Sequence, residues 1–459
     1  MREINVRDII KVTNGKLVLG EENAECINFS KDTRTIQNGD IYIGIKGEKF
    51  DGNMFWKEAL ENGAKGVIIQ NEEISQEEKN TYHDKIIIVV KDTIEALKEI
   101  AKFKRSLYNI PVVAVTGSVG KTSTKDIIAS VVSQKYKTLK TEGNNNNNIG
   151  LPLTILKLRN HEAAVIEMGM NHLREIAYLT DIAKPTLSVI TNVGTSHIGY
   201  LGSRENILKA KLEILEGMET PEIIINNDND LLHKWYEENK DKIKIHTYGI
   251  ENESELNAKN IKMNEDSSEF SVKFNGENVN IEVPVGGEHF IYNALCATEV
   301  GKTLGLSKKQ IVKGIKEVEL TKKRMDIRTL ENGAILINDS YNASYESMSA
   351  SIKYLANHNG KRKIAVLGDM FELGEYSKEI HTNVGKLVAQ YNIDVLICEG
   401  EASKDIIKGA TENNSKIETY LLNSNDEILS KLKKDLRDGD IVLVKASNGM
   451  KFYEICQKL

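Results

Sequence analysis

The chain has little that would place it in a membrane, outside the cell or on nucleic acid. No apolar run approaches the roughly 18–20 residues that cross a bilayer, and the charged residues 1–8 lack the apolar stretch of a signal peptide. The four cysteines form no CxxC pair, so reduced and mostly buried thiols are expected. Lys and Arg number 61 against 67 Asp and Glu, unlike the basic balance of nucleic-acid binders. We therefore predict a cytoplasmic protein with no nucleic-acid or membrane partner.

Prolines are also scarce, and no long Pro- or Ser-rich linker divides the chain, which contains only 5 prolines. At about 150 residues per domain, its length of 459 residues predicts three domains. Short β-branched runs alternate with helical patterns, which is typical of parallel strands covered by helices. The strand candidates are 41–45, 66–69, 85–90, 112–115, 164–166, 187–191, 222–225, 334–337, 363–367, 394–397 and 440–444, with a hairpin around Asn275-Gly276. We predict an α/β protein with domains at 1–91, 92–318 and 319–459.

A glycine-rich turn follows the strand candidate at 112–115 and leads into a helical pattern from Lys121. Glycines let backbone N–H groups point into one concavity, where the helix N-terminus adds partial positive charge. Lys121 can then reach a β- or γ-phosphate, and the Thr122 hydroxyl can ligate Mg²⁺. Val115 stands where the usual loop GxxxxGK[ST] has its first glycine, so the pattern is a shortened form. The predicted nucleotide-binding residues are Gly117, Ser118, Val119, Gly120, Lys121, Thr122 and Ser123; the alternative is an ordinary turn with a solvent-facing lysine.

Three further residues follow the next strand candidates of this zone. Glu167 comes directly after one strand and His197 after another, at the sheet edge where ligands of open α/β sheets gather. Lys211 lies 14 residues beyond His197 in a helical stretch. A lysine is an odd neighbour for metal chemistry because an ammonium repels Mg²⁺. Taken alone, these residues also fit a capping carboxylate, a hydrogen-bonded loop histidine and a solvated lysine.

In this order, the motifs resemble the ATP-dependent Mur ligases of peptidoglycan synthesis. The matching blocks are SKDTR (30–34), GEKFDG (47–52), TGSVGKT (116–122), EMG (167–169), TNVGTSH (191–197), AKLEI (210–214), GGEHFIYNA (286–294), Lys323-Arg324 and NDSYN (338–342). The resemblance covers essentially the whole chain. It implies a central phosphate-loop ATPase domain with a parallel sheet, flanked by a small α/β N-terminal domain and a Rossmann-like C-terminal domain.

Two more blocks, TEGNNNNNIGLP (141–152) and LGDMFELG (367–374), favour the family member that acts last. That member joins D-alanyl-D-alanine to UDP-N-acetylmuramoyl-tripeptide through an acyl phosphate, using ATP and Mg²⁺. A monomer is the family default. The open alternatives are the member that adds the third residue, a folylpolyglutamate-type ligase, or a nucleotide-dependent switch.

The resemblance also assigns roles to residues. In Mur ligases the lysine at the position of Lys211 carries CO₂ as a carbamate, so that Thr122, Glu167, His197 and modified Lys211 would hold Mg²⁺ at two sites. Lys121, Lys211, His197 and Arg324 are the predicted catalytic residues. Asn293, Arg324 and Asp339 would contact the nucleotide, whereas His289 fits either a nucleotide contact or a helix-start cap.

The predicted substrate contacts are spread over the three domains. Asp32, Thr33 and Arg34 would hold the UDP end, although a plain turn with a salt bridge also fits them. The asparagine run at 144–148 is polar enough for a disordered loop, but amide groups offer donors and acceptors to a sugar or peptide. We predict substrate contact for its members Asn145 and Asn146, and by resemblance for Gly47, Asn342 and Asp369.

Overall fold

The N-terminal region packs helices around a five-stranded sheet. A computed structural model describes residues 3–47, 50–70, 73–321 and 324–459; parts of the GEKFDG block and Lys323 lie outside these ranges. The elements are α1 (Val6–Thr13), β1 (Lys16–Leu19), β2 (Phe29–Ser30), β3 (Ile41–Ile43), α2 (Trp56–Glu61), β4 (Gly66–Gln70), α3 (Gln76–Thr81), β5 (Ile86–Val90) and α4 (Thr93–Ser106). The strand order is β1-β5-β4-β3-β2, with β1 antiparallel to β5 and the other pairs parallel.

The central region contains a seven-stranded parallel sheet in the order β12-β11-β10-β9-β6-β8-β7, and a three-stranded antiparallel sheet, β13-β14-β15. Its elements are β6 (Val112–Thr116), α5 (Lys121–Val132), β7 (Thr138–Lys140), α6 (Gly150–Ile155), β8 (Ala163–Glu167), α7 (Glu175–Ala183), β9 (Leu187–Ile190), α8 (Ile198–Leu201), α9 (Arg204–Leu212), β10 (Glu222–Asn226), α10 (Asp230–Asn239), β11 (Lys244–Gly249), β12 (Leu256–Asn257), β13 (Lys259–Met263), β14 (Ser268–Phe274), β15 (Glu277–Val283), α11 (Glu288–Thr303) and α12 (Lys308–Lys316).

The C-terminal region has a six-stranded sheet in the order β16-β17-β21-β18-β19-β20, parallel except for the β16–β17 pair. Its elements are β16 (Asp326–Thr329), β17 (Ile335–Asn338), α13 (Tyr345–Asn357), β18 (Arg362–Gly368), α14 (Ser377–Gln390), β19 (Val395–Glu399), α15 (Ser403–Asn413), β20 (Glu418–Leu422), α16 (Asn425–Asp435), β21 (Asp440–Lys445) and α17 (Tyr453–Lys458). Within the described ranges, no helix combines the length and the apolar composition that crossing a membrane requires.

The predicted α/β class and the predicted strands are confirmed, with ends that differ by one or two residues. The hairpin prediction also holds, because β14 and β15 pair directly and Asn275 and Gly276 both have positive φ, 50° and 83°. The boundaries at 91/92 and 318/319 stay predictions. Helix α4 packs against α1 of the first region and against α6 and α7 of the second.

The central sheet brings the ends of three strands together. All five residues of β6 are buried, as expected of a strand with neighbours on both sides and helices on both faces. β8 lies on one side of β6 and β9 on the other, so the chain changes direction in the sheet between them. Loops at the carboxyl ends of strands separate at such a point and leave a crevice for a ligand.

The four cysteines are all buried and form no disulfide. Burial raises the pKa of the Cys26 thiol, and that of the Cys456 thiol, to about 12. Both thiols are therefore protonated near neutral pH, and they lack the thiolate that reacts as a nucleophile. The prediction of reduced, buried thiols is confirmed.

A charged network lies where β11 meets α11. His246 on β11 contacts Glu255 through Nδ1 and Glu222 through Nε2, each at 2.9 Å. Lys302 pairs with the buried Glu299 at 3.0 Å. Hydrogen bonds to Glu255, and then to Glu222, outweigh the burial and raise the pKa of His246 above its ordinary value of 6.5. The imidazolium is therefore the form that the fold favours.

This network predicts that stability depends on pH. A histidine whose pKa is raised by folding stabilises the protein fully below its unfolded pKa, and this contribution disappears as the pH rises through the folded pKa. We expect His246→Asn to lower the Tm more at about pH 6 than at about pH 9. Thermal unfolding of both proteins across this range measures the difference. His83→Asn, at an exposed histidine, is the control, and an equal Tm loss at both pH values for His246→Asn would contradict the prediction.

Candidate active site

A cleft of about 480 Å³ opens at the carboxyl edge of the central sheet and is closed on one side by the C-terminal region. Its walls come from the loop after β6, the ends of β8 and β9, the start of α11, and the residues between β17 and α13. The predicted site residues that line it are Ser118, Val119, Gly120, Lys121, Thr122, Ser123, Asn146, Glu167, His197, Asn293, Arg324, Asp339 and Asn342.

The loop after β6 has a shape that requires its two glycines. Gly117 has a φ of +155°, and a Cβ there would lie 1.9 Å from Thr191 Oγ1. Gly120 has a φ of +78° and immediately precedes α5. The N–H of Ser118 donates to the carbonyl of Asn192, so the loop after β9 holds the loop after β6. The first N–H groups of α5 have no partner within the helix and face the cleft.

Two cations from different domains face this cleft. Lys121 donates through Nζ to the carbonyls of Gly117 and Ser118, at 2.8 and 3.3 Å. Burial lowers the pKa of Lys121, Glu167 opposes this shift, and the positive charge of Arg324 adds to it. Arg324 stacks on Tyr341, with Cζ 4.1 Å from the ring centroid. Like charges placed together in a cleft create a strong attraction for an anion such as a triphosphate.

The Arg324 guanidinium also has an orphaned donor. Its Nε is buried and has no hydrogen-bond partner among the described residues. Buried donors are normally paired, so an unpaired one beside a cleft is a group available to a ligand. The solvent-facing lysine of the alternative interpretation does not occur, because Lys121 is enclosed in the same cleft.

The nucleotide-side residues are held by interactions of their own. Asn293 on α11 accepts a hydrogen bond from Thr124 Oγ1 at 2.9 Å, which ties α11 to the phosphate-loop helix. Asp339 forms a buried ion pair with Lys445 at 2.5 Å and accepts from Ser351 Oγ at 2.7 Å. Both residues line the cleft, and their side chains are fixed before any ligand enters.

His289 also lines the cleft. The residue that precedes α11 is Gly287, and no side chain caps this helix, so the helix-cap interpretation of His289 is wrong. Burial lowers the pKa of His289 to about 4, which keeps the ring neutral. It therefore presents an imidazole without charge to the cleft.

Glu167 has the geometry of a cation ligand. It is the last residue of β8 and is 2% exposed. Its Oε1 accepts from Asn146 Nδ2 at 2.8 Å, while Oε2 is buried and has no hydrogen-bond partner in the described part of the chain. A carboxylate oxygen left bare beside a cleft fits Mg²⁺, which prefers oxygen ligands. Because its partner is a side-chain amide, Glu167 does not cap a helix.

His197 is the last residue of the loop between β9 and α8. It precedes α8 with a φ of +65°, a conformation uncommon outside glycine. Its Nδ1 lies 2.5 Å from Glu372 Oε2 of the C-terminal region, without the alignment of a standard hydrogen bond. Side-chain exposure is 18% for His197 and 35% for Glu372.

Lys211 is not a solvated lysine, so that alternative is wrong. It lies near the end of α9, is 1% exposed, and forms no hydrogen bond or ion pair with the described residues. Burial and the charge of Lys121 lower its pKa well below 10.5, and Glu346 opposes this shift. Lys211 is not among the residues that line the cleft. A buried lysine with a depressed pKa is a neutral amine for part of the time.

The N-terminal residues lie outside the cleft. Asp32 caps the short turn at Thr33–Thr35 and pairs with Arg34 at 2.6 Å, and this pair lowers the pKa of Asp32 to about 2. The Thr33 hydroxyl donates to Glu58 at 2.7 Å. Gly47 donates its N–H to the carbonyl of Phe50. These contacts match the alternative of a turn with a salt bridge, and the UDP role stays a prediction.

Two other predicted substrate residues are not among those that line the cleft. Asp369 uses its carboxylate to accept from the N–H and hydroxyl of Ser403, both at 2.7 Å, at the start of α15. Asn145 packs beside Gly150, because a Cβ at position 150 would lie 2.5 Å from the Cα of Asn145. The asparagine run is folded rather than loose, because Asn147 Oδ1 accepts from the N–H of Gly150.

Sequence reasoning missed several residues that the fold brings to the site. Those that line the cleft are Asn144, Asn147, Tyr292, Tyr341, Glu346 and Lys445. Glu372 contacts His197 from outside this set. Glu372 stands inside the LGDMFELG block, and Glu346 follows the NDSYN block by four residues, so the signal lay in acidic residues next to blocks that were already recognised.

Comparison with known proteins matches three family models along the chain. They are the Mur ligase family catalytic domain over residues 28–105, the Mur ligase middle domain over 115–301, and the Mur ligase glutamate ligase domain over 323–448. Together they cover most strands of the N-terminal, central and C-terminal sheets, with β1 outside the matched ranges.

Relatives match over nearly their full length. The UDP-N-acetylmuramoyl-tripeptide–D-alanyl-D-alanine ligase of Bacillus subtilis is 34% identical, over 99% of this chain and 98% of its own. The ligase of the same name from Synechocystis is 36% identical over 94% and 91%. A crystal structure of MurF from Acinetobacter baumannii superposes with a TM-score of 0.89 at 28% identity, covering 100% and 99% of the two chains. MurF from Thermotoga maritima in complex with ADP gives 0.81 at 28% identity, covering 94% and 96%. The chain belongs to the Mur ligase family.

Proposed function

We propose that this protein uses ATP to join the amino group of D-alanyl-D-alanine to the terminal carboxylate of UDP-N-acetylmuramoyl-tripeptide. The full-length relatives that carry this activity in their names support the substrate assignment. The observation that carries the chemistry is the pair of cations, Lys121 and Arg324, which face one cleft from two domains. The bare oxygen of Glu167 lies in the same cleft.

The reaction needs ATP because a carboxylate is a poor electrophile toward an amine. A carboxylate oxygen of the tripeptide attacks the γ-phosphorus, the bond to the β-phosphate oxygen breaks, and ADP leaves. The amine of D-alanyl-D-alanine then attacks the acyl carbon, loses a proton, and phosphate departs with the former carboxylate oxygen. Positioning and charge neutralisation supply most of the catalysis in such phosphoryl transfers.

Residues of the central and C-terminal domains together supply this positioning and charge neutralisation. Lys121 and the N–H groups at the start of α5 stabilise the β- and γ-phosphate oxygens, and Arg324 approaches the same charge from the C-terminal domain. Asn293 and Asp339 hold the rest of the nucleotide. Because Arg324 and Asp339 lie outside the phosphate-loop domain, the site is complete only when the domains are together.

Thr122, Glu167, His197 and Lys211 would hold Mg²⁺ at two sites, with Lys211 present as a carbamate. Bound Mg²⁺ supplies charge neutralisation for phosphate oxygens. The neutral amine of Lys211 adds CO₂ and releases a proton. The product is a carbamate anion with two oxygens, in place of the ammonium cation. Burial beside Lys121 favours the neutral amine that this reaction needs.

The carbamate has a direct test. ¹³C NMR of the protein in ¹³C-bicarbonate at about pH 8 with Mg²⁺ is expected to show one protein-bound carbamate carbon. Lys211→Ala should lack this signal, whereas Lys209→Ala, at an exposed lysine two residues earlier on the same helix, should keep it. A signal of equal strength in Lys211→Ala would contradict the carbamate assignment.

The remaining assignments complete the proposal. Asp32, Thr33 and Arg34 hold the UDP end, and the other residues assigned to substrate contact are Gly47, Asn145, Asn146, Asn342 and Asp369. The protein works as a monomer in the cytoplasm, where ATP and UDP-linked precursors are available.

The test is to supply the acceptor and candidate amines one at a time and to measure ADP release. We expect D-alanyl-D-alanine, with UDP-N-acetylmuramoyl-tripeptide present, to stimulate ADP release more than any single amino acid does. A family member that adds the third residue would instead respond to lysine or diaminopimelate with the UDP-dipeptide, and a folylpolyglutamate-type ligase to glutamate with a folate. Slow ATP hydrolysis at a rate that no amine changes would indicate a nucleotide-dependent switch.

A further inference from the structure

A short segment of the central domain carries His197 and also docks the C-terminal domain. We call residues 194–202 the docking segment. The N–H of Gly199 donates to the carbonyl of Glu372 at 3.0 Å, and the Tyr376 hydroxyl donates to the carbonyl of Gly202 at 2.7 Å. One of the contacts between the domains therefore forms directly around His197.

Glu346 holds the other end of the docking segment. This residue lies in the first turn of α13, and its Oε1 accepts from the N–H of Thr195 at 2.7 Å. A Cβ at Gly194 would lie 2.3 Å from Glu346 Cδ, so this approach needs the glycine. The C-terminal domain thus holds the segment on both sides of His197, through the Glu346 carboxylate before it and through the Glu372 carbonyl and the Tyr376 hydroxyl after it.

The loop that presents Glu372 is itself rigidly held. His381 on α14 is 0% exposed. Its Nε2 accepts from the N–H of Met370 at 2.9 Å, and its Nδ1 donates to the carbonyl of Ser377 at 2.7 Å. These two bonds require the neutral ring protonated at Nδ1. The bond to Met370 therefore anchors the backbone two residues before Glu372 to α14, while the bond to Ser377 lies within α14 and sets the tautomer of the ring.

We propose that Glu372 is a positioning residue that sets the His197 imidazole when the C-terminal domain docks. The proposal rests on the proposed function, in which His197 faces the metal and phosphate region of the cleft. Glu372 Oε2 lies 2.5 Å from His197 Nδ1, and a carboxylate beside one nitrogen of an imidazole favours one orientation of the ring and leaves the other nitrogen for a ligand. Domain docking and the placement of His197 are then one event.

The competing explanation is that the contact between Glu372 and His197 is a salt bridge that only stabilises the fold. On that explanation, removal of the Glu372 charge would lower the Tm. The Glu372 side chain is 35% exposed, and exposed ion pairs contribute little to stability. Removing the Glu372 charge should therefore leave the Tm nearly unchanged. A positioning role affects metal affinity and turnover instead.

The experiment compares Glu372→Gln with Glu375→Gln, an exposed glutamate in the adjacent turn, in the full-length protein. Binding of Mn²⁺ in the presence of ADP is measured by electron paramagnetic resonance, alongside kcat, KM and Tm. For Glu372→Gln we expect a loss of about 10-fold in Mn²⁺ affinity and in kcat, with little change in the KM for D-alanyl-D-alanine. Glu375→Gln should behave as the unmodified protein.

A double-mutant cycle tests whether Glu372 acts through His197. We expect Glu372→Gln to cost nothing further in a His197→Ala background, because the ring it positions is gone. Independent losses that multiply in the double variant would overturn the proposal, as would unmodified Mn²⁺ affinity in Glu372→Gln. Absence of ligation by the unmodified protein would count against the proposed function instead, while the Mn²⁺ measurements would still decide the role of Glu372.

Discussion

Lys121→Ala is expected to lower the kcat of ligation by about 10³-fold or more while leaving the protein folded. The Lys121 ammonium lines the cleft together with a second cation, Arg324, whose charge disfavours it, and an anion bound between them would relieve this repulsion. The charge that develops on the β- and γ-phosphate oxygens during transfer is such an anion. Removal of Lys121 leaves this charge without its nearest partner.

The stability of the same variant separates this account from a structural one. Because burial and Arg324 disfavour the ammonium, the Tm of Lys121→Ala without nucleotide should equal or exceed that of the unmodified protein. Steady-state kinetics and thermal unfolding measure the two effects, with Lys209→Ala as the exposed-lysine control. Turnover close to that of the unmodified protein would remove the phosphate-loop argument.

Arg324→Ala is expected to reduce turnover by about 10³-fold, an effect typical of an arginine that stabilises transferring phosphate from outside the phosphate-loop domain. Its guanidinium stacks on Tyr341 and keeps a buried Nε donor that has no hydrogen-bond partner in the part of the chain that the structure describes. Arg324→Lys should recover only part of the loss, because an ammonium keeps the charge but lacks the planar fork.

The control for this prediction is Arg437→Ala, an exposed arginine of the same domain. Rapid-quench measurement of a single turnover identifies whether the loss lies in the chemical step. A variant that loses Tm but keeps its turnover would make Arg324 a structural residue.

The sequence predicted those parts of the site that depend on local order along the chain. The order of a buried strand, two glycines, Lys-Thr and a helix predicts a phosphate-binding loop. A carboxylate at the end of a neighbouring parallel strand is then expected at the same edge of the sheet. Local order was therefore enough to predict that Gly117, Lys121 and Glu167 lie at the carboxyl edge of the central sheet, and their roles stay predictions. The burial of Lys211 was not available from its own helix, since it depends on how α9 packs in the folded domain.

The contacts between domains could not be predicted in the same way. Asp369 and Glu372 stand three residues apart in one recognised block, and the former directly follows a strand, where site residues gather. The structure uses Asp369 to cap α15 and brings Glu372 to His197. This choice is set by how the C-terminal domain sits on the central one, which no local pattern contains.

The central claim is that the tripeptide carboxylate accepts a phosphoryl group before the amide forms. The most direct measurement supplies the UDP-tripeptide with ¹⁸O in its terminal carboxylate, together with ATP, Mg²⁺ and D-alanyl-D-alanine, and analyses both products by mass spectrometry. The account predicts a UDP-pentapeptide and inorganic phosphate that carries one ¹⁸O from the carboxylate. Amide product with unlabelled phosphate, or labelled acceptor recovered unchanged while ATP is consumed, would contradict it.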